Sequence, residues 1–310
     1  MGSYDVVVIG GGMAGLTAGL FSARLGRSTL VLEPQVPGGH LLNIEKIEDF
    51  PGFPQGVPGF EIGPGLQEQA ANFGAEFSME TAESIERNGD GWRVVTNGDQ
   101  HDARAVIVAA GSVPRELGVP GEHDFEGKGI SHCASCDGPL MRGATVAVAG
   151  GGDSGLQEAL TLANFASKVI VIERGDALSG SEVYRQRATA SSAVEVRLNS
   201  TVASIIGEKG VSAVQVLDGK SNQSEEIAIT GLFIYAGLRP NTDFIKGTVE
   251  LDGDGKIKTD LWMRTDQPGV LAAGDIRADS ASQAITSAGD GATAAIAAHR
   301  FLESGTWRTT

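Results

Sequence analysis

At 310 residues the chain is long enough for two domains with real cores. A net charge of -15 and a pI near 4.7, with no basic stripe, speak against a nucleic-acid backbone as partner. The start, "MGSYDVVVIG", has no basic n-region or cleavage site, Val6 stands where a myristoylation signal requires Ser or Thr, and glycines break the apolar run far short of a bilayer span, so the expectation is a cytoplasmic protein without a membrane segment.

The first predicted unit is Val6 to Glu33, "VVVIGGGMAGLTAGLFSARLGRSTLVLE". It reads as an apolar strand, a glycine turn, an amphipathic helix and a second apolar strand. A helix pattern follows at Pro64 to Phe77, then strands at Trp92 to Thr96 and Ala105 to Ala109. "AAGSVPRELGVPG", rich in glycine and proline, reads as a domain boundary. Next comes "SHCASCDGPL", which holds the only two cysteines, Cys133 and Cys136. Their C-x-x-C spacing fits half of a metal site, a structural bridge or a redox pair. In a reducing compartment the structural bridge is the weakest of the three.

Val146 to Glu173, "VAVAGGGDSGLQEALTLANFASKVIVIE", then repeats the first unit without a gap at an offset of 140 residues. Strand-like runs follow at Val194 to Leu198, Val214 to Leu217 and Leu232 to Tyr235, and "GLRPNTD" marks a second crossing. "GVLAAGDI" is a strand ending at Gly274-Asp275, and "SQAITSAGDGATAAIAAHRFL" is a final helix with an alanine-rich packing face. The expected fold is α/β, with two Rossmann-like nucleotide-binding domains, the second inserted into the first. Residues 1–113 and 240–310 form one domain, and 114–239 form the other.

Each repeat carries Gly-x-Gly-x-x-Gly: Gly10, Gly12 and Gly15, then Gly150, Gly152 and Gly155. The first glycine makes the tight turn, the second admits a pyrophosphate to the backbone, and the third packs helix on strand. The helix N-terminus offers free N–H groups to phosphate. The closing acids, Glu33 and Glu173, stand where a ribose 2′-hydroxyl is accepted. Two such sites in one chain suggest two dinucleotides that exchange electrons, FAD and a nicotinamide.

The chain resembles the low-molecular-weight thioredoxin reductase family of flavoproteins over essentially its whole length. The resemblance rests on "GGGMAGLTAG", "PGGHLLNIEKIEDFPGFP", "HCASCDGPL" ahead of "GGGDSG", "GLRPNT", "GVLAAGDIR" and "QAITSAGDG", in the family's order. It implies FAD in the first site, with Gly10, Gly12, Gly15 and Glu33 on the ADP half. It also implies Gly39, His40 and Asp49 along the flavin, Gly111 against the FAD, Asp275 at the ribityl-pyrophosphate, and Gln283 and Ala284 at the isoalloxazine edge. His40 replaces the family's usual Gln. Gly150, Gly152, Gly155, Glu173 and Arg174 would hold the nicotinamide dinucleotide.

The same resemblance answers the cysteine question. Zinc needs two further ligands, and His132, adjacent to Cys133, is awkwardly placed to be one. The pair is expected to be a redox-active dithiol/disulfide, Cys133 attacking the protein substrate and Cys136 facing the flavin, with Asp137 as the acid. The implied relay runs from donor to FAD, to the disulfide, and by exchange to a thioredoxin-like protein. The family also implies a homodimer, rotation of the inserted domain, and in some relatives a C-terminal aromatic on the flavin, for which Trp307 is the candidate. Two alternatives stand beside this reading: a reductase fed by ferredoxin or another protein, and a flavin-dependent oxidase of small dithiols, which the intact Asp137 disfavours.

The donor reading rests on "VIERGDALSGSE". NADPH-using members carry His-Arg-Arg-x-x-x-Arg here, and this chain places Glu173, Arg174, Gly175 and Ser179 at those four positions. A carboxylate about 4 Å from a 2′-phosphate costs on the order of 4 kcal/mol at an effective dielectric of about 20, before salt and relaxation reduce it. NADH is expected as donor, and NADPH is disfavoured.

Overall fold

The computed structural model describes residues 2–307; Met1 and residues 308–310, the ends of the expected first domain, lie outside the described residues. The chain forms two compact units, one running up to Val113 and resuming at Arg239, the other Pro114–Leu238.

The first unit opens with β1 (Gly2–Ile9), α1 (Met13–Arg24), β2 (Thr29–Leu32), α2 (Gly59–Asn72), β3 (Glu76–Ser78), β4 (Ala82–Asn88), β5 (Gly91–Thr96) and β6 (Gln100–Val108). Its strands run in the order β3-β2-β1-β6-β5-β4. β1, β2, β3 and β6 are parallel, and β5 and β4 return antiparallel. Val6, Val7, Val8 and Ile9 are all buried, as an apolar run must be in a parallel strand covered on both faces.

Short strands β7 (Ser112–Pro114) and, later, β16 (Leu238–Pro240) lie where the chain passes between units. The second unit contains β8 (Ile130–Ser131), α3 (Ala134–Asp137), β9 (Thr145–Ala149), α4 (Asp153–Leu162), β10 (Lys168–Ile172), α5 (Glu182–Ala190), β11 (Val194–Arg197), β12 (Ser200–Gly207), β13 (Val211–Asp218), β14 (Ser224–Ala228) and β15 (Gly231–Ile234). Strands β11-β10-β9-β15-β8 form a wholly parallel sheet. Leu156, Ala159 and Leu162 of α4 pack on one face with Val146, Val148 and Val169. The antiparallel meander β12-β13-β14 covers the other, where Val202, Ile205 and Val214 meet Ala147 and Ile170.

The chain then returns with β17 (Val270–Ala272) and α6 (Ala284–Ser304) to finish the first unit. β6 divides one edge between two partners: Gln100–Ala103 pairs antiparallel with β5, and Val106–Val108 pairs parallel with β17.

Two expectations are corrected here. The first helix is not amphipathic: ten of its residues, from Met13 to Ala23, are buried. It lies between the sheet and α6, and a helix enclosed on most sides has no solvent stripe to show. The second helix starts at Gly59 rather than Pro64, contains that proline, and ends at Asn72. Gly74, at φ +94°, stops it by turning the chain so that the Ala75 N–H reaches the Ala70 carbonyl. Phe77 therefore belongs to β3.

Candidate functional site

The chemistry-bearing residues gather at the carboxyl ends of parallel strands, where an open α/β sheet leaves its crevice. In the first unit Gly10–Gly15 follows β1, Glu33 follows β2, Gly111 follows β6, and Gly274-Asp275 follows β17. In the second, Cys133 follows β8, Gly150–Gly155 follows β9, Glu173 follows β10, and Tyr235 follows β15.

The first turn needs its glycines for space. Gly10 sits at φ +106°, and a Cβ on Gly15 would fall 1.8 Å from the Gly10 carbonyl oxygen. Around Gly12 an added Cβ would meet nothing within 4 Å, and Gly12 begins α1 without a side-chain cap. The start of α1 is thus open on the side where a Gly12 Cβ would lie, which leaves room for a pyrophosphate at the helix N-terminus. The Glu33 carboxylate accepts the N–H of Gly11 at 2.7 Å and of Gln35 at 3.0 Å. Two of its four acceptor positions remain for ribose hydroxyls.

Gly39 and Gly274 close in on this turn, and His40, Asp275 and Gly111 have partners of their own. Gly39, at φ +57°, approaches so nearly that a Cβ would lie 3.1 Å from Gly12 Cα. Exposed His40 bonds the Ser112 carbonyl through Nε2 at 2.6 Å. Gly274 packs on Ala14, and Asp275 accepts from Ser287 at 3.3 Å. Asp290 braces that loop: it takes the Gly274 N–H at 3.1 Å and is paired with Arg277 at 2.6 and 2.9 Å. Gln283 caps α6 and Ala284 is its first residue. Gly111, at φ +61°, accepts the Asn241 N–H. Asp49 is exposed in the loop after Ile47.

Cys133 and Cys136 form a disulfide. Cys133 is the N-cap of α3, and its Sγ accepts the Cys136 N–H at 3.2 Å, a contact that favours sulfur carrying negative charge. Asp137 accepts the Ser131 hydroxyl at 2.5 Å, and Ser131 in turn accepts the Cys133 N–H at 3.1 Å. Three side chains without a motif of their own thus support the pair: Ser131, Glu158 and Tyr235. Glu158 is buried under α3, where Oε2 accepts the Ala134 N–H at 2.8 Å and the Tyr235 hydroxyl at 3.2 Å.

The second glycine turn copies the first. Gly150 lies at φ +121°, and a Cβ on Gly155 would sit 2.1 Å from the Gly150 oxygen. Gly152 begins α4 without a side-chain cap. Glu173 accepts the Gly151 N–H at 2.7 Å and the Gly175 N–H at 2.7 Å. Ser179 and Gly180 donate backbone N–H groups to the Gly151 carbonyl, which folds that loop over the turn. Arg174 and Ser179 are exposed.

Trp307 lies elsewhere. Its indole N–H donates to the Thr265 carbonyl at 3.3 Å, and its ring meets Phe301 edge-on at 5.0 Å. That position is past the far end of α6, about 30 Å along the helix axis from Ala284. Within this chain the indole does not reach the Gln283-Ala284 end.

Residues 4–294 match the family described as pyridine nucleotide-disulphide oxidoreductase. The thioredoxin reductase of Streptomyces clavuligerus is 40% identical over 302 residues, covering 96% of this chain and 94% of that protein. The solved thioredoxin reductase of Lactococcus lactis is 37% identical, with a TM-score of 0.95 over 97% of this chain and 99% of that one. A ferredoxin-flavin thioredoxin reductase from Clostridium acetobutylicum is 29% identical, with a TM-score of 0.54 over 98% of this chain and 99% of the other. With likeness of this extent along nearly all its length, the chain belongs to the low-molecular-weight thioredoxin reductases, flavoprotein oxidoreductases of the pyridine nucleotide-disulphide oxidoreductase family.

Proposed function

We propose that the chain reduces the disulfide of a thioredoxin-like protein, using FAD bound in the first unit and NADH, rather than NADPH, at the second glycine turn. The observation that carries this reading is the Cys133–Cys136 disulfide at the head of α3, on the same edge of the sheet as Gly150–Gly155. Gly10, Gly12, Gly15, Glu33, Gly39, His40, Asp49, Gly111, Asp275, Gln283 and Ala284 would hold the FAD. When bound, that group supplies two-electron transfer between a reductant and a disulfide.

The residues of the chain handle sulfur and proton. Cys133 attacks the disulfide of the protein substrate and forms a mixed disulfide. Cys136 then displaces it, releasing the substrate as a dithiol and restoring the Cys133–Cys136 bond. Asp137, which accepts the Ser131 hydroxyl, would exchange the proton of a departing thiol. At the second turn Glu173 supports NADH, since its free acceptor positions suit a 2′-hydroxyl and its charge opposes a 2′-phosphate. We further propose that the enzyme works in the cytoplasm as a homodimer.

A ferredoxin-like protein donor is the second reading. It draws support from the absence of the basic cluster at Glu173, Gly175 and Ser179, and from the likeness to the clostridial enzyme. Anaerobic titration of the purified yellow protein with NADH, NADPH and reduced ferredoxin separates the readings. Flavin bleaching with NADH ahead of NADPH supports the first, bleaching with ferredoxin alone supports the second, and faster bleaching with NADPH overturns the charge argument.

A further inference from the structure

Glu158 is only 6% exposed, and it sits where a charge matters. Its Oε2 accepts the N–H of Ala134, the residue directly after Cys133, and Ala134 itself is fully buried. The same oxygen accepts the Tyr235 hydroxyl. Burial first, and the Glu158 charge next, push the Tyr235 phenol far up, so it remains an O–H donor. The other ionisable groups around the segment are Asp137, bonded to Ser131, and His132, which reaches the Ile234 carbonyl and stands 3.5 Å from Glu126. Glu158 thus places a buried acceptor one peptide from the attacking sulfur.

We propose that Glu158 is a positioning residue that sets the reactivity of Cys133: it fixes the first turn of the redox segment through Ala134, and its carboxylate resists ionisation of the Cys133 thiol. This inference rests on the reading of the pair as the redox centre of a disulfide reductase. Two local influences then oppose each other. The Cys136 N–H favours a thiolate on Cys133, and the Glu158 charge disfavours it. The result for the pair is a less stable dithiolate, hence a stronger reductant, because a disulfide is more oxidising when its reduced form is stabilised.

The test uses the chain with Cys136→Ser, which leaves Cys133 as its only thiol. The rate of alkylation by iodoacetamide is followed against pH to give the Cys133 ionisation midpoint. Glu158→Gln keeps size and an acceptor for Ala134 and removes the charge; the midpoint is expected to fall by about one unit. Glu158→Asp keeps the charge with a shorter reach, and its midpoint is expected to stay near that of the parent chain. A contact that only braces the backbone predicts the reverse, since the shortened acid loses the Ala134 contact and the isosteric amide keeps it. In the chain with both cysteines, Glu158→Gln is expected to shift equilibrium with dithiothreitol several-fold toward the dithiol. An unchanged or raised midpoint in Glu158→Gln overturns the proposal, and if that variant does not fold, an unchanged or raised midpoint in the similarly sized, uncharged Glu158→Met does so. None of these measurements needs an electron donor or thioredoxin. Failure of the reductase reading would appear separately, as wild-type protein with normal thiols that passes no electrons to thioredoxin.

Discussion

Glu173 accepts the backbone N–H of Gly151 at 2.7 Å, the same contact at the same length that Glu33 makes with Gly11 in the other unit. The acid that closes each repeat is therefore bound to the glycine turn that opens it. Glu173→Arg combined with Ser179→Arg is expected to move donor preference toward NADPH, because it replaces a like charge with two opposite ones beside a 2′-phosphate. It also strips the Gly151 and Gly175 N–H groups of their acceptor, at a cost of about 1–3 kcal/mol. The measurement is the ratio of flavin reduction rates with NADPH and NADH; an unaltered ratio removes Glu173 from donor selection.

Cys136→Ser is expected to leave a yellow protein that reduces no disulfide. The cysteines lie in the second unit, and the residues assigned to FAD lie in the first. Absorbance of the flavin and turnover with thioredoxin are measured on one preparation. Retained turnover would remove the central role of the pair, and a colourless protein would show that the segment supports the flavin.

Gly291→Ala tests the contact between α1 and α6. A Cβ there would lie 2.1 Å from the Ala14 carbonyl oxygen, with no flexible side chain to yield. Overpacking of this kind costs roughly 1–3 kcal/mol. A Tm lower by several degrees is expected, together with weaker flavin retention, since Ala14 also backs Gly274. An unchanged Tm would mean that the helices part freely.

Acid is expected to destabilise the fold through identifiable carboxylates. Burial works against the Glu80 carboxylate, yet hydrogen bonds from Ser78, Thr96 and His101 hold it below its ordinary value. Asp5 is likewise held down against burial by Arg104 and the Ser28 N–H. Such groups bind protons more weakly folded than unfolded. As pH falls from about 5 toward 2, the unfolded chain takes up protons first and stability declines. Glu80→Gln should flatten the slope of Tm against pH in that window, and an unaltered slope would exclude Glu80 as a contributor.

Much of the fold was legible because its signals are local. The paired β-α-β units announce themselves through apolar runs and glycines whose positive φ or close contacts no other residue tolerates, as at Gly10 and Gly15. β4 gave no such signal: "AESIERN" buries only Ile85 among its seven residues, so its place depends on pairing with β5. β14, "SEEIA", is equally polar and is fixed by β13. In the site, Cys133 and Cys136 stood out as the sole thiols, whereas Glu158 looked like any glutamate on a helix. Its burial arises only when α3 packs on α4 and Tyr235 arrives from the end of β15. Trp307 shows the converse: as an aromatic in a polar tail it was the candidate for the flavin face, and its partners Thr265 and Phe301 come from folding.

The divided edge of β6 bears on how the protein is made. Val106 pairs with Val270 across the whole inserted unit. As the ribosome extends the chain, Val106–Val108 emerges early and waits, half its edge bare, until Val270–Ala272 has been synthesised. The continuous Pro114–Leu238 segment is complete before Val270 is made, so that unit can close during the wait. A nascent chain arrested short of Val270 carries a bare apolar strand edge, the kind of surface that pairs with other chains.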